Sequence, residues 1–154
     1  MVDVCANYRK IVDRIHEAAA KAGRNAQEIK LLAAAKSQGV ALVQAAIAAG
    51  VRLIGENYVQ EAEDKRKVIS EPVEWHMIGH LQRNKAKAAV KIFDLIQTLD
   101  SVALALELDK AGKNQEKTGR ALIEVNLENE ASKSGIGRHN VAELLKRVGD
   151  LSHV

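Results

Sequence analysis

Aromatic side chains are nearly missing from this 154-residue chain, which has one Trp, one Phe and two Tyr, 3% in all. A core of Ala, Leu, Ile and Val with so few rings suits helices packed on parallel strands better than a β-sandwich. One proline and ten glycines exclude collagen-like and low-complexity classes. The single cysteine, Cys5, cannot form an internal disulfide, so the framework is that of a reducing compartment and a cytoplasmic protein is expected. No apolar run reaches the length of a membrane span, and the opening MVDVCANYRK has no signal-peptide core, so no membrane partner is expected. A basic tract interleaved with aromatics is also missing. Twenty-three Lys and Arg face twenty Asp and Glu, net +3, scattered along the chain. Nucleic acid is therefore not expected, while mild basicity suits an anionic small molecule.

What the chain does have is alanine, 24 in all, and enough length for one domain with a real core and no covalent staples. Val4, Tyr8, Ile11, Val12, Ile15 and Ala19 recur at three-to-four spacing, predicting a helix that runs to Gly23. A rhythm follows. Strands are expected at 29–35, 51–54, 74–78, 93–98 and 121–127, each followed by a helix, at 40–49, 58–69, 82–90, 101–111 and 140–148. Residues 151–154 read as the start of a sixth strand. Alternating β and α units imply a parallel sheet with right-handed crossovers.

Two architectures compete: a five-stranded doubly wound sheet and a (β/α)8 barrel. Five units fill residues 29–150 at roughly 24 residues each, so three more would bring the chain to about 230, a plausible barrel. Polar groups or glycines stand at all five strand ends, whereas a doubly wound sheet concentrates them at one switch point. The expectation is an α/β fold of the (β/α)8 TIM-barrel type, with the first five to six βα units in this chain. Residues 1–154 would form a single, C-terminally incomplete barrel domain, with strands in the order 1-2-3-4-5.

Function in either architecture sits at the C-terminal ends of the strands. Those ends are Lys36, Gly55-Glu56-Asn57, Gly79-His80, Asp100-Ser101 and Asn126. Lys36 follows an apolar run with small neighbours. A desolvated lysine there would be a nucleophile toward carbonyls, although most lysines at strand ends simply run into water. Asn57 can cap the next helix, offer its amide to a ligand, or both. His76 lies within a strand beside Trp75, the usual setting of a satisfied core histidine. His76 and His80 do not share a helical face, and no Cys or carboxylate cluster joins them, so no metal is expected. Ser132, Lys133, Ser134 and Gly135 suit an anion-binding loop but lack the spacing of a P-loop.

Four strings taken together resemble the pyridoxal 5′-phosphate (PLP) homeostasis protein family: LLAAAK at 31–36, IGENYVQE at 54–61, WHMIGHLQRNK at 75–85 and EASKSGI at 130–136. The resemblance implies the alanine racemase N-terminal barrel with an added N-terminal helix starting at Val2. It implies PLP across the strand ends, bound as a Schiff base on Lys36. Asn57 would lie near the ring, and Lys133 would take part in PLP handling. His76 and Asn126 complete the expected cofactor-binding set, with no catalytic residue and no metal. Ala35 stands where the family usually has serine, Ser37-Gln38-Gly39 stands where a proline is usual, and His80 also replaces a common proline. The family's phosphate-binding segments and its arginine partner for the pyridine nitrogen belong to later strands. By resemblance the protein is a carrier or regulator of PLP without established catalysis, with PLP-dependent apo-enzymes as recipients and a monomeric full-length form. The alternative is a racemase-type enzyme, which needs acid–base groups on both faces of the cofactor. A weaker third reading is an aldolase using Lys36.

Overall fold

The computed structural model describes residues 3–128, 130 and 133–154. Val2, expected in the first helix, and Ala131 and Ser132 of the Ser/Gly string lie outside the described residues. Helix α1 (Val4–Lys21) begins where the Asp3 carboxylate accepts the Ala6 N–H at 2.9 Å. Gly23 follows its end with φ +64°, a conformation that costs a glycine little. Five βα units follow: β1 (Leu32–Ala34) and α2 (Val40–Ala49), β2 (Leu53–Glu56) and α3 (Val59–Val68), β3 (Glu74–Met77) and α4 (Ala86–Ile92), β4 (Leu95–Leu99) and α5 (Val102–Asn114), then β5 (Ala121–Ile123). Two short strands, β6 (Val125–Asn126) and β7 (Ile136–Gly137), pair separately before α6 (Val141–Gly149).

The main sheet runs β1-β2-β3-β4-β5 with every neighbouring pair parallel. This is the order expected of a barrel arc. A doubly wound sheet would place β1 between β2 and β3. Strand alternation then sorts the side chains. The rows Ala33–Ile54–Trp75 and Glu56–Met77–Ile96 face the helices, and Ile54, Trp75, Met77 and Ile96 are buried against α2 to α5 in one cluster. Ala62, Ala89 and Ala105 are fully buried on the helix side. Their small side chains let helices approach the sheet closely. The row Ala34–Gly55–His76–Leu95 occupies the other face.

Helix α2 has the expected bounds, but several strands are shorter or displaced. β2 starts at Leu53 because Gly50, at φ +125°, and the Val51 N–H to Ala46 O bond extend the end of α2. β4 starts at Leu95 because the Phe93 N–H bonds to Ala89 O, ending α4. The expected strand 121–127 divides in two. The Glu124 N–H still bonds to Leu99 O, but Glu124 O accepts from the Ile136 N–H at 2.8 Å. The chain thus leaves the main sheet to pair with a strand hidden in the Ser/Gly string. Gly135 permits this approach, since a Cβ there would sit 2.8 Å from the Asn126 nitrogen. Residues 151–154 form no strand. The Ser152 and His153 N–H groups both donate to Asp109 Oδ1, at 3.0 and 2.8 Å, holding the segment to α5.

Among the described residues no helix is long and apolar enough to cross a membrane. Trp75 is the largest fully buried side chain. Trp75→Ala should lower stability by about 3–5 kcal/mol, read as a shift of the urea midpoint by far-UV circular dichroism.

Candidate functional site

The ladder between β1 and β2 ends with the Ala35 N–H donating to Gly55 O at 2.8 Å. Ala35 O then accepts from the Gln38 N–H at 3.1 Å, closing a four-residue turn of Ala35, Lys36, Ser37 and Gln38. Ser37 has φ +60°, the left-handed conformation that usually falls to glycine in such a turn. Lys36 therefore sits two residues past β1, in a tight turn. It is exposed, and among the described residues no carboxylate pairs with it.

Small residues form the strand pair that leads into this turn. Ala34 is in register with Gly55, where a Cβ would fall 2.6 Å from Leu32 Cδ2 and 2.7 Å from Ile78 Cδ1. Asn57, half-buried, is two residues past Gly55. Its backbone rests on Gly79, where a Cβ would lie 2.5 Å from Asn57 O. The N-cap position of α3 is Tyr58, with no side-chain capping bond, so Asn57 does not cap that helix.

His76 is buried on the face away from the helices. Its Nδ1 lies 2.9 Å from Gln97 Nε2, and its Nε2 lies 3.4 Å from Glu74 Oε2. Both ring nitrogens are engaged. Asn126 ties the loop after β6. Its amide donates to Glu130 O at 2.9 Å and Lys133 O at 3.3 Å, and it accepts from the Glu130 N–H at 3.2 Å. The exposed Lys133 ammonium pairs with the Glu130 carboxylate. Lys36, Asn57 and His76 thus stand on or just past three adjacent strands, while Asn126 and Lys133 meet around a separate cleft beyond β5. That cleft is not lined by Lys36, Asn57 or His76.

Two clusters go beyond the sequence reading, which names Glu56, His80, Asp100 and Ser101 only as strand-end residues. In the first, Glu56 and Lys65 are buried together, with Lys65 Nζ 2.5 Å from Glu56 Oε1, 2.9 Å from Ala35 O and 3.6 Å from Glu61 Oε2. Burial pushes the Glu56 carboxyl above its ordinary range, against the pull of Lys65. A signal for it exists: Glu56 shares a strand face with Ile54, and Lys65 falls on the apolar face of α3 with Val59 and Ala62. The second cluster borders a cleft of about 870 Å³ lined by His80, Arg83, Asn84, Asp100 and Ser101, where His80 Nδ1 lies 3.2 Å from Asp100 Oδ2. Nearby, Glu124 Oε2 is buried without a partner. Burial and then the Asp100 charge raise the Glu124 carboxyl, opposed by His80.

A carboxyl raised on folding favours the folded state below its unfolded value near 4.5, and that contribution is lost as pH climbs through the folded value. Glu124→Gln, which cannot ionise, should therefore raise the melting temperature at pH 7 more than at pH 4.5. An equal effect at both pH values would contradict this.

The family model described as alanine racemase, N-terminal domain, matches residues 6–154. The pyridoxal phosphate homeostasis protein of Escherichia coli K12 is 37% identical over 155 residues, 98% of this chain and 66% of that protein. The protein of the same name from Vibrio cholerae is 37% identical over 160 residues, 99% of this chain and 68% of that one. This chain thus spans about two thirds of the length of the relatives it matches. Among solved structures, PipY of Synechococcus elongatus with PLP bound superposes with a TM-score of 0.78 at 31% identity, covering 91% of this chain and 66% of that one. Alanine racemase of Clostridium difficile superposes at 0.76 with 11% identity, over 99% of this chain and 38% of that one, a likeness of fold alone. With the sheet order, the strand-end residues and these matches in agreement, the chain belongs to the pyridoxal phosphate homeostasis protein family, on the alanine racemase N-terminal fold.

Proposed function

We propose that this chain binds PLP, holds it covalently through Lys36 Nζ, and serves as a carrier or regulator of PLP rather than as a catalyst. The observation that carries the reading is Lys36 itself, an exposed amine in a tight turn at the C-terminal end of β1, beside the closely packed Ala34–Gly55 strand pair. PLP bound to the similar PipY supports it. Bound here, PLP would supply an electrophilic aldehyde carbon, which Lys36 Nζ would hold. These features fit the aldehyde end of the cofactor.

Asn57 stands two residues beyond the strand pair Ala34–Gly55 and offers an amide donor and acceptor beside that end. His76, with both nitrogens engaged, would act as a fixed wall rather than as a proton carrier. Lys133 and the loop held by Asn126 would meet PLP from the far side of the strand ends, in its loading or its transfer to apo-enzymes.

Racemisation needs a proton carrier on each face of the substrate. Tyr8 donates its hydroxyl to Gly50 O at 3.2 Å, just before β2 and at the opposite end of the strands from Lys36. Tyr58 is 61% exposed. These placements favour the non-catalytic reading.

Borohydride reduction of the PLP-loaded protein followed by peptide mapping should put the phosphopyridoxyl group on Lys36. Lys36→Ala should lose it, along with the visible absorbance of the adduct. An adduct on another lysine in the wild type would overturn the assignment. Incubation with D- and L-alanine in deuterated water should leave the α-hydrogen unexchanged, and exchange above the free-PLP background would mark an enzyme instead.

A further inference from the structure

Two side chains of α3 reach the peptide groups on either side of Lys36. On the N-terminal side, Ala35 O accepts from Lys65 Nζ at 2.9 Å. On the C-terminal side, the Ser37 N–H donates to Glu61 Oε2 at 3.0 Å. Lys65 and Glu61 lie one helical turn apart, with Nζ 3.6 Å from Oε2, so the two contacts join into a ring around the Lys36 backbone. Glu56 anchors the ring from β2 at 2.5 Å.

Packing alone does not call for this arrangement. A buried ion pair is commonly no more stabilising than apolar side chains of the same volume. Ser37 also holds a left-handed conformation that disfavours a side chain, and such strain persists where surrounding contacts over-determine it. Here those contacts are the Ala35–Gln38 turn bond and the Glu61 carboxylate. Both charged groups spend hydrogen bonds on the two peptides that set the direction of the Lys36 Cα–Cβ bond.

The geometry points to Lys65 and Glu61 as positioning residues for Lys36: they clamp its turn from both sides, so that the amine meets an incoming aldehyde from one direction. This inference rests on the PLP reading above. A flexible lysine side chain gains from a fixed base, because small misplacements of a reacting group slow a reaction steeply.

The test uses PLP as the probe and follows its attachment by absorbance, then by reduction and peptide mapping. Wild type is compared with Glu61→Ala, Glu61→Gln and the double variant Lys65→Met/Glu56→Leu, which removes the ion pair without stranding a charge. Amide hydrogen exchange at Ser37 and thermal melting are recorded beside them. Glu61→Ala should expose the Ser37 amide and slow attachment at Lys36 about tenfold, the worth of one hydrogen bond to a charged group. Glu61→Gln, whose amide oxygen still accepts the Ser37 N–H, should recover most of the rate. The double variant should be slow at a temperature where it remains folded. Modification of the exposed Lys85 and Lys110 should be unchanged throughout. Attachment to Glu61→Ala at the wild-type rate would overturn the clamp while leaving the PLP reading intact, as would a slowing shared by Lys85 and Lys110. A wild type that forms no adduct at Lys36 would overturn the PLP reading and the clamp with it.

Discussion

Glu56 is fully buried between the sheet and α3, and the geometry around Lys36 depends on how that charge is matched. Removing one partner of such a pair strands a charge in the interior, at a cost of about 3–5 kcal/mol. Lys65 is therefore drawn into the apolar layer, and its remaining hydrogen-bonding capacity must be used there too. Ala35 O uses part of it, and the nearby Glu61 carboxylate faces the rest. The demand to neutralise one carboxylate thus ties three elements together at the point where β1 turns out of the sheet.

The two faces of the sheet do different work. The helix-facing rows are dry and closely packed, with alanines keeping the helices near. The other face carries the row Ala34–Gly55–His76–Leu95, with Gln97 bonded to His76 and Glu74 beside it. Glycine recurs where backbone or side chains come close: Gly55 under Leu32 and Ile78, and Gly79 under Asn57. These approaches bring the ends of β1 to β3 together as one surface, where TIM-barrel folds concentrate their chemistry. A rigid sheet then presents Lys36 from a short turn instead of a long loop, as the proposed role in holding PLP requires.

Local patterns determined a good part of this. The three-to-four spacing from Val4 to Ala19 specified α1, the apolar run before Gly50 specified α2, and the alternation of short apolar runs with helices specified parallel βα units. The strings around Lys36, Asn57, His76 and Lys133 pointed to the family that the comparisons establish. Such features survive in one dimension because they depend on period, propensity and spacing within a few turns of chain.

Tertiary structure alone decided the rest. β5 parts from β6 because Glu124 O finds the Ile136 N–H, twelve residues away, and Gly135 leaves room for it. Asn57 looked like a helix cap, but its backbone is seated on Gly79, across from β2, and the helix starts after Tyr58. Lys65 lies beside Arg66 and Lys67 in the last turn of α3, yet it points to Ala35 and Glu56. Each outcome follows from strand register and from the angle at which a helix crosses the sheet. Those quantities arise only when distant segments pair, so no window of sequence contains them, although the residues that respond to them are all in plain view.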